Sequence, residues 1–239
     1  MNPRIEDLKV KIFADGADLQ EMIAMSEKSY ISGLTTNPTL MRKAGVLDYR
    51  KFARDVLTEI QSKPISFEVF SDDLTEMKNQ ALEIASWGEN VYVKIPISNT
   101  LGRSTSDVVY ELTRAGVKVN VTAIMTTNQV EEIAASLNPK IPSYISVFAG
   151  RIADTGRDPI PTLKKSLEIL QTNSLAELIW ASPRELLNVI QADQINCHVI
   201  TATKDILAKL SLLGHNLEDY SLDTVKMFRN DALASAYSI

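Results

Sequence analysis

The run Val91-Tyr92-Val93-Lys94-Ile95-Pro96 is rich in β-formers, with one lysine where a buried strand would take another aliphatic. The period of two of a strand puts Val91, Val93 and Ile95 on one face and Tyr92 and Lys94 on the other. An ammonium inside a fold is costly to desolvate, and that cost favours the neutral amine, the form that attacks carbonyl carbon. Taken alone, the run also fits an edge strand whose lysine snorkels to water. A lysine amine that attacks a ketone gives an imine, an electron sink for breaking or making the adjacent C–C bond. Such a site needs a carboxylate to move the proton of a substrate hydroxyl. It needs a second acid, with a water, to shuttle protons during imine formation and hydrolysis. Hydroxyl and amide groups would hold a polyol. Two arginines and a serine near a helix N-terminus would suit a phosphate.

The elements that must position these groups alternate along the chain. Predicted strands run over Leu8 to Asp15, Gly33 to Asn37, Pro64 to Phe70, Val91 to Pro96, Lys118 to Met125, Tyr144 to Gly150, Glu177 to Ala181 and Cys197 to Ala202. Between them lie predicted helices: one after an Asp18 cap, then Asp48 to Ile60, one capped by Asp72 or Asp73, Gly102 to Arg114, Asn128 to Leu137, Pro161 to Gln171, one entered through Ser182-Pro183-Arg184, and one carrying Ile206, Leu207 and Leu210. A further helix is predicted over Ser221 to Tyr237. Aliphatic strands alternating with helices are expected where a parallel sheet is covered by helices. Eight such units predict a single α/β domain over 1–239, a (β/α)8 TIM barrel with an additional C-terminal helix. A doubly wound open sheet would want a Gly-rich loop after the first strand, and Ala14-Asp15-Gly16-Ala17-Asp18 is not one.

In a barrel the active site lies at the C-terminal ends of the strands. Those ends carry Asp15, Thr36 with Asn37, Glu68, Lys94, Asn120 with Thr122, Ser146 with Phe148 and Arg151, and Ser182 with Arg184. Singly, each has a plainer reading: Asn37 beside Pro38 as a turn former, Asp15 as a cap, Arg184 as a surface residue. Polar residues on seven strands of one barrel together predict a lined pocket.

Composition narrows the classes. At 239 residues and 45% apolar content the chain can bury one large core. A net charge of -5 with interspersed signs argues against a nucleic-acid partner. No apolar run reaches the ~18 residues of a membrane span, and the N-terminal residues have no signal-peptide core. A single cysteine, Cys197, points to an intracellular protein with no internal disulfide. With His198 and His215 the only histidines, a zinc site is not expected, so the chemistry is expected to run without metal or other cofactor.

Six motifs occur in order: Phe13-Ala14-Asp15-Gly16-Ala17, Gly33-Leu34-Thr35-Thr36-Asn37-Pro38-Thr39, the Lys94 strand, Asn120-Val121-Thr122-Ala123-Ile124, Ser146-Val147-Phe148-Ala149-Gly150-Arg151-Ile152 and Ala181-Ser182-Pro183-Arg184. On these the chain resembles the transaldolase family, including its short fructose-6-phosphate aldolase-like members. The resemblance implies a barrel of the class I aldolase type with Lys94 as the imine former and Asp15 handling the substrate C4 hydroxyl proton. Glu68 and Thr122 would hold the catalytic water. Thr36, Asn37, Asn120 and Ser146 would line the dihydroxyacetone site with Phe148 packed beside it, and Arg151, Ser182 and Arg184 would bind the sugar phosphate. The implied partners are sugar phosphates and further copies of the chain, up to a decamer, in a cytoplasmic enzyme of carbohydrate metabolism such as the pentose phosphate pathway. The aldolase-like members carry tyrosine at the Phe148 position and glutamine at the Glu68 position, and lack the asparagine matching Asn120; here all three have the transaldolase form. The chain departs from the family at Pro183, where phenylalanine is usual, which bears on how Arg184 is aimed. An aldolase without obligatory transfer, or a sugar-phosphate-binding protein on the same scaffold, are the other readings.

Overall fold

A computed structural model of the chain describes residues 4–173 and 175–235. Eight strands, β1 (Lys11–Asp15), β2 (Ile31–Thr35), β3 (Ile65–Glu68), β4 (Val91–Pro96), β5 (Val119–Ile124), β6 (Ser143–Val147), β7 (Ala176–Trp180) and β8 (Val199–Thr203), pair in parallel in chain order. β8 returns to β1, with Lys11 opposite Val199 and Asp15 opposite Thr203, and the sheet closes into a barrel. Helices α1 (Leu19–Ser26), α2 (Pro38–Lys43), α3 (Tyr49–Glu59), α4 (Leu74–Ala85), α5 (Ser106–Arg114), α6 (Thr127–Ser136), α7 (Ala149–Asp154), α8 (Ile160–Leu170), α9 (Leu187–Gln194), α10 (Lys204–Ala208) and α11 (Leu217–Ala234) follow in turn. This is the (β/α)8 barrel with an extra C-terminal helix. Among the described residues no helix is long and apolar enough to cross a membrane.

Side-chain caps start many of the helices. Asp18, Asp48, Asp73 and Thr126 each accept a backbone N–H from the first turn, and Thr126 with Gln129 completes a reciprocal capping box. Strand alternation divides the interior into two cores. Val91, Val93 and Ile95 join the large cluster between sheet and helices. Phe13, Tyr144, Ile179, Ala181 and Val199 form a smaller one inside the barrel, with Tyr92 and Phe148 packed on it. Tyr92 and Tyr144 meet with ring centroids 4.4 Å apart, and Phe13 stands edge-on to Tyr144 at 5.5 Å. Gly33 makes room for this plug: a Cβ there would lie 2.5 Å from Cζ of Phe13. The aromatic plug seals the barrel beneath the lysine.

The observed elements depart from the sequence reading in several places. Pro38 opens a helix instead of merely following a strand, because Asn37 caps it with its side-chain oxygen and proline suits the first turn. β6 stops at Val147, and the Ala149–Asp154 segment predicted partly as strand is helical. The predicted Gly102 start of α5 is loop, with Gly102 at φ 75°, and the helix begins at Ser106. Ser182 and Pro183 do not open α9. Ser182 takes a left-handed φ of 58°, and Asn188 Oδ1 accepts the N–H groups of Arg184 and Glu185 in a turn that delays the helix to Leu187. α11 starts at Leu217, where Asn216 accepts two N–H groups, and not at Ser221; the predicted end at Tyr237 lies outside the described residues.

Candidate active site

Register brings the ionisable residues together. Glu68 on β3 lies opposite Lys94 on β4, and Lys94 lies opposite Asn120 on β5. All three side chains point inward at one level. Lys94 is 7% exposed, so it does not snorkel to solvent. Its Nζ donates to the Thr36 carbonyl at 3.0 Å and stands 3.1 Å from Glu68 Oε2. A buried ammonium so paired is held in place, because removing either partner strands the other's charge.

Asp15 sits across the barrel from this pair. Thr35 donates its hydroxyl to Asp15 Oδ1 at 2.8 Å, and the Asn37 amide nitrogen stands 3.3 Å from Oδ2. Burial pushes the Asp15 carboxyl above its ordinary range, while Lys94, Thr35 and Asn37 pull it back down. Asn37 does double duty: its oxygen caps α2 through the Leu40 N–H, which turns its nitrogen toward the carboxylate. On the opposite wall Ser146 donates to Asn120 Oδ1 at 2.7 Å and Asn120 donates to Ser66 Oγ at 2.9 Å. Both amide ends of Asn120 are thus fixed, and the Ser146 oxygen is left as an acceptor.

Thr122 Oγ1 is buried and has no hydrogen-bond partner among the described residues. A hydroxyl orphaned beside an open polar cavity is a place for a water. The β5–β6 register shifts between Val121 and Ile124, and Ala123 takes a φ of 61° there, so a bulge interrupts the pairing just after Thr122.

These residues line a cavity of about 580 Å³ at the C-terminal mouth of the barrel. Asp15, Asn37, Glu68, Lys94, Asn120, Thr122, Ser146, Phe148, Arg151, Ser182 and Arg184 all face it. Thr36 does not. Its side chain is fully buried with the hydroxyl donated to the Ser66 carbonyl, and it reaches the site through the main-chain oxygen that holds Lys94. At the rim, Arg151 makes no hydrogen bond or ion pair among the described residues. Arg184 is gripped at both ends of its fork by Asp154, Nε to Oδ1 at 2.9 Å and Nη2 to Oδ2. The arginine pulls the Asp154 carboxyl below its ordinary range.

Sequence reasoning missed several contributors. Thr35, Thr201 and Thr203 line the cavity as hydroxyls, Ser66 anchors Asn120, and Asp154 aims Arg184. Strand parity could have found Thr201, two residues beyond Val199 on the same inward face. Gly150 carried no signal of its own: a Cβ there would lie 1.6 Å from the Ser182 carbonyl oxygen, so its bare backbone lets the β7–α9 loop close on α7.

The family model described as Transaldolase/Fructose-6-phosphate aldolase matches residues 12–238. The chain belongs to the transaldolase/fructose-6-phosphate aldolase family. A Thermoanaerobacter protein named "Probable transaldolase" is 32% identical over 218 residues, covering 91% of this chain and 95% of that protein. A Listeria monocytogenes protein named "Probable transaldolase 2" is 34% identical over 218 residues, covering 90% and 93%. Among solved structures, one assigned as a fructose-1,6-biphosphate aldolase from Coccidioides immitis superposes with a TM-score of 0.55 at 12% identity, over 84% of this chain and 78% of that one; it shares the fold.

Proposed function

We propose that this chain is a transaldolase, moving a dihydroxyacetone unit between a ketose phosphate (sedoheptulose 7-phosphate or fructose 6-phosphate) and an aldose phosphate through an imine on Lys94. The observation that carries the reading is the buried Lys94–Glu68 pair, 3.1 Å apart, in one cavity with Asp15. In this reading Lys94 passes its ammonium proton to Glu68, the freed amine adds to the ketose C2, and the carbinolamine loses water to give the imine. Glu68 moves the protons, with a water held by the otherwise unpaired Thr122 hydroxyl. Asp15 takes the C4 hydroxyl proton; the C3–C4 bond breaks, its electrons pass into the imine, and the aldose phosphate leaves. The enamine then attacks the incoming aldehyde, and the same steps run in reverse. Asn37, Asn120 and Ser146 hold the dihydroxyacetone fragment, Thr36 orients Lys94 through its carbonyl, Phe148 packs beside the adduct, and Arg151, Ser182 and Arg184 take the phosphate.

The test is intact mass after borohydride reduction with fructose 6-phosphate, with erythrose 4-phosphate then offered to the unreduced complex. An adduct of dihydroxyacetone mass that discharges into sedoheptulose 7-phosphate is the expected result. An adduct that water releases but no acceptor discharges would make the chain an aldolase; none at all would remove the imine. Transfer is preferred over hydrolysis because Phe148, facing the cavity, has no hydroxyl to position a water at the imine. Phe148→Tyr is therefore expected to raise hydrolytic release relative to transfer several-fold, read from product ratios at fixed acceptor. An unchanged ratio would sink that argument.

The working form is proposed to be a homo-oligomer. α11 buries none of its residues on its own barrel and exposes Leu217, Val225, Phe228 and Leu233. Elsewhere Leu47 (99% exposed) and Phe70 (52%) flank Tyr49 and Trp87 in a groove rimmed by Asp48, Arg50 and Glu83, which is the proposed seat of such a helix from a second copy. Light scattering is expected to give a multiple of the 26.5 kDa chain, and Phe228→Asp a lower multiple. A monomeric wild type would refute this.

A further inference from the structure

Behind Asp15 lies a hydroxyl pair that none of these roles uses. Thr35 Oγ1 stands 2.8 Å from Asp15 Oδ1 and 2.5 Å from Thr201 Oγ1, and both threonines are buried. Each hydroxyl carries one proton. An ionised carboxylate only accepts, so the Thr35 proton must go to Asp15. The Thr35–Thr201 contact then has one possible direction, with Thr201 donating to Thr35. The result is a directed chain, Thr201 to Thr35 to Asp15, running across β8, β2 and β1. The fold holds it in register, because Phe13 on β1 lies opposite both Gly33 and Thr201, and Asp15 lies opposite Thr35. Thr35 is β-branched and buried at the cavity wall, so its χ1 is restricted and its hydroxyl stays beside Asp15 and Thr201.

We infer that Thr201 is a positioning residue for the reaction: by donating to Thr35 it commits the Thr35 hydroxyl to Asp15 and holds that carboxylate ionised and aimed at the substrate hydroxyl. The inference rests on the reading of Asp15 as the base for C–C cleavage. Other charges bear on Asp15. Lys94 on β4, paired with Glu68 on β3, faces it across the cavity, and Arg151 and Arg184 stand at the exposed rim. On the flanking segments Asp18, Glu21 and Lys204 are exposed, the last two paired with each other. None of these groups is altered by removing a neutral hydroxyl, so a change at Thr201 reports on the chain itself. Without Thr201 the Thr35 hydroxyl is no longer polarised toward Asp15, its bond to the charged form weakens, and the acid limb of cleavage moves to higher pH.

The test compares wild type, Thr201→Val, which keeps the β-branched shape, and Thr201→Ser, which keeps the hydroxyl. On the acid side of the profile, Thr201→Val is expected to lower kcat/KM for fructose 6-phosphate cleavage about fivefold, the worth of one neutral hydrogen bond. The deficit should shrink as pH rises, and Thr201→Ser should restore the wild-type limb. Borohydride trapping of free dihydroxyacetone, which needs Lys94 but no C–C cleavage, is expected at wild-type yield. A deficit equal at every pH, or none, overturns the inference while leaving the transaldolase reading intact. Should wild type form no adduct, that reading falls, and urea unfolding decides the inference alone. The stability difference between wild type and Thr201→Val is expected to grow as pH rises through the Asp15 titration, because the charge-assisted bond to the ionised form gains more from the chain than a neutral one does. A difference independent of pH overturns it.

Discussion

Lys94→Met is expected to abolish the borohydride adduct and to lower transfer by about 10⁴-fold or more, the scale seen when a covalent nucleophile is removed. The substitution also leaves the Glu68 carboxylate facing an apolar chain in a site where the native pair is almost fully enclosed. Breaking such a pair can cost about 3–5 kcal/mol unless the carboxyl takes up a proton, so loss of activity in that variant alone could be a folding effect. Lys94→Arg answers this: it keeps a cation beside Glu68, but a guanidinium is not a nucleophile at neutral pH. Both variants should be silent in the mass experiment, with Lys94→Arg retaining a cooperative unfolding transition. An adduct persisting in either would place the imine on another lysine. Lys63, whose amine burial pushes below its ordinary range, cannot substitute, because its Nζ is spent on the carbonyls of Ser26, Lys28 and Ile31.

Gly150→Ala should be nearly as damaging to substrate binding, although the residue makes no polar contact with substrate in the proposed mechanism. The new Cβ would stand 1.6 Å from the Ser182 carbonyl oxygen and 3.2 Å from Arg184 Nε. The Arg184 side chain can yield but the Ser182 backbone cannot, so the Ser182–Arg184 loop must move away from α7. Overpacking of this kind costs about 1–3 kcal/mol, which for a chain of this size lowers Tm by roughly 2–12 °C. The larger effect falls on the phosphate side. Moving the loop by an ångström separates Arg184 from Asp154 and shifts it at the cavity rim it shares with Arg151, and misplacement on that scale can cost ~10²-fold. KM for sugar phosphates is expected to rise at least tenfold, with less effect on unphosphorylated dihydroxyacetone. Equal losses on both would mean that the loop serves the imine site and not the phosphate.

How much of this was legible beforehand follows from the physics of each signal. Strand and helix order was readable because burial imposes a period on the sequence, and eight aliphatic runs alternating with amphipathic stretches leave little choice of fold. The inward parity of Lys94 followed from the same period, as did the grouping of polar residues at strand ends. The boundaries that failed were those where a local turn overrides the pattern. α7 begins one residue after Phe148, α2 begins on a proline, and α9 waits behind a left-handed serine.

Sequence by itself determined the barrel, the family and most of the residues offered at the mouth, though not Thr35, Thr201 and Thr203, because residue type and spacing along one chain encode burial and parity. Only the tertiary structure decided who meets whom. That Glu68 rather than Asp15 pairs with Lys94, that Asn120 is pinned between Ser66 and Ser146, that Thr36 acts through its carbonyl, and that Asp154 holds Arg184 all depend on interstrand register and loop path. Register is set by the fit of whole faces across neighbouring strands, and no single stretch of the chain carries that information.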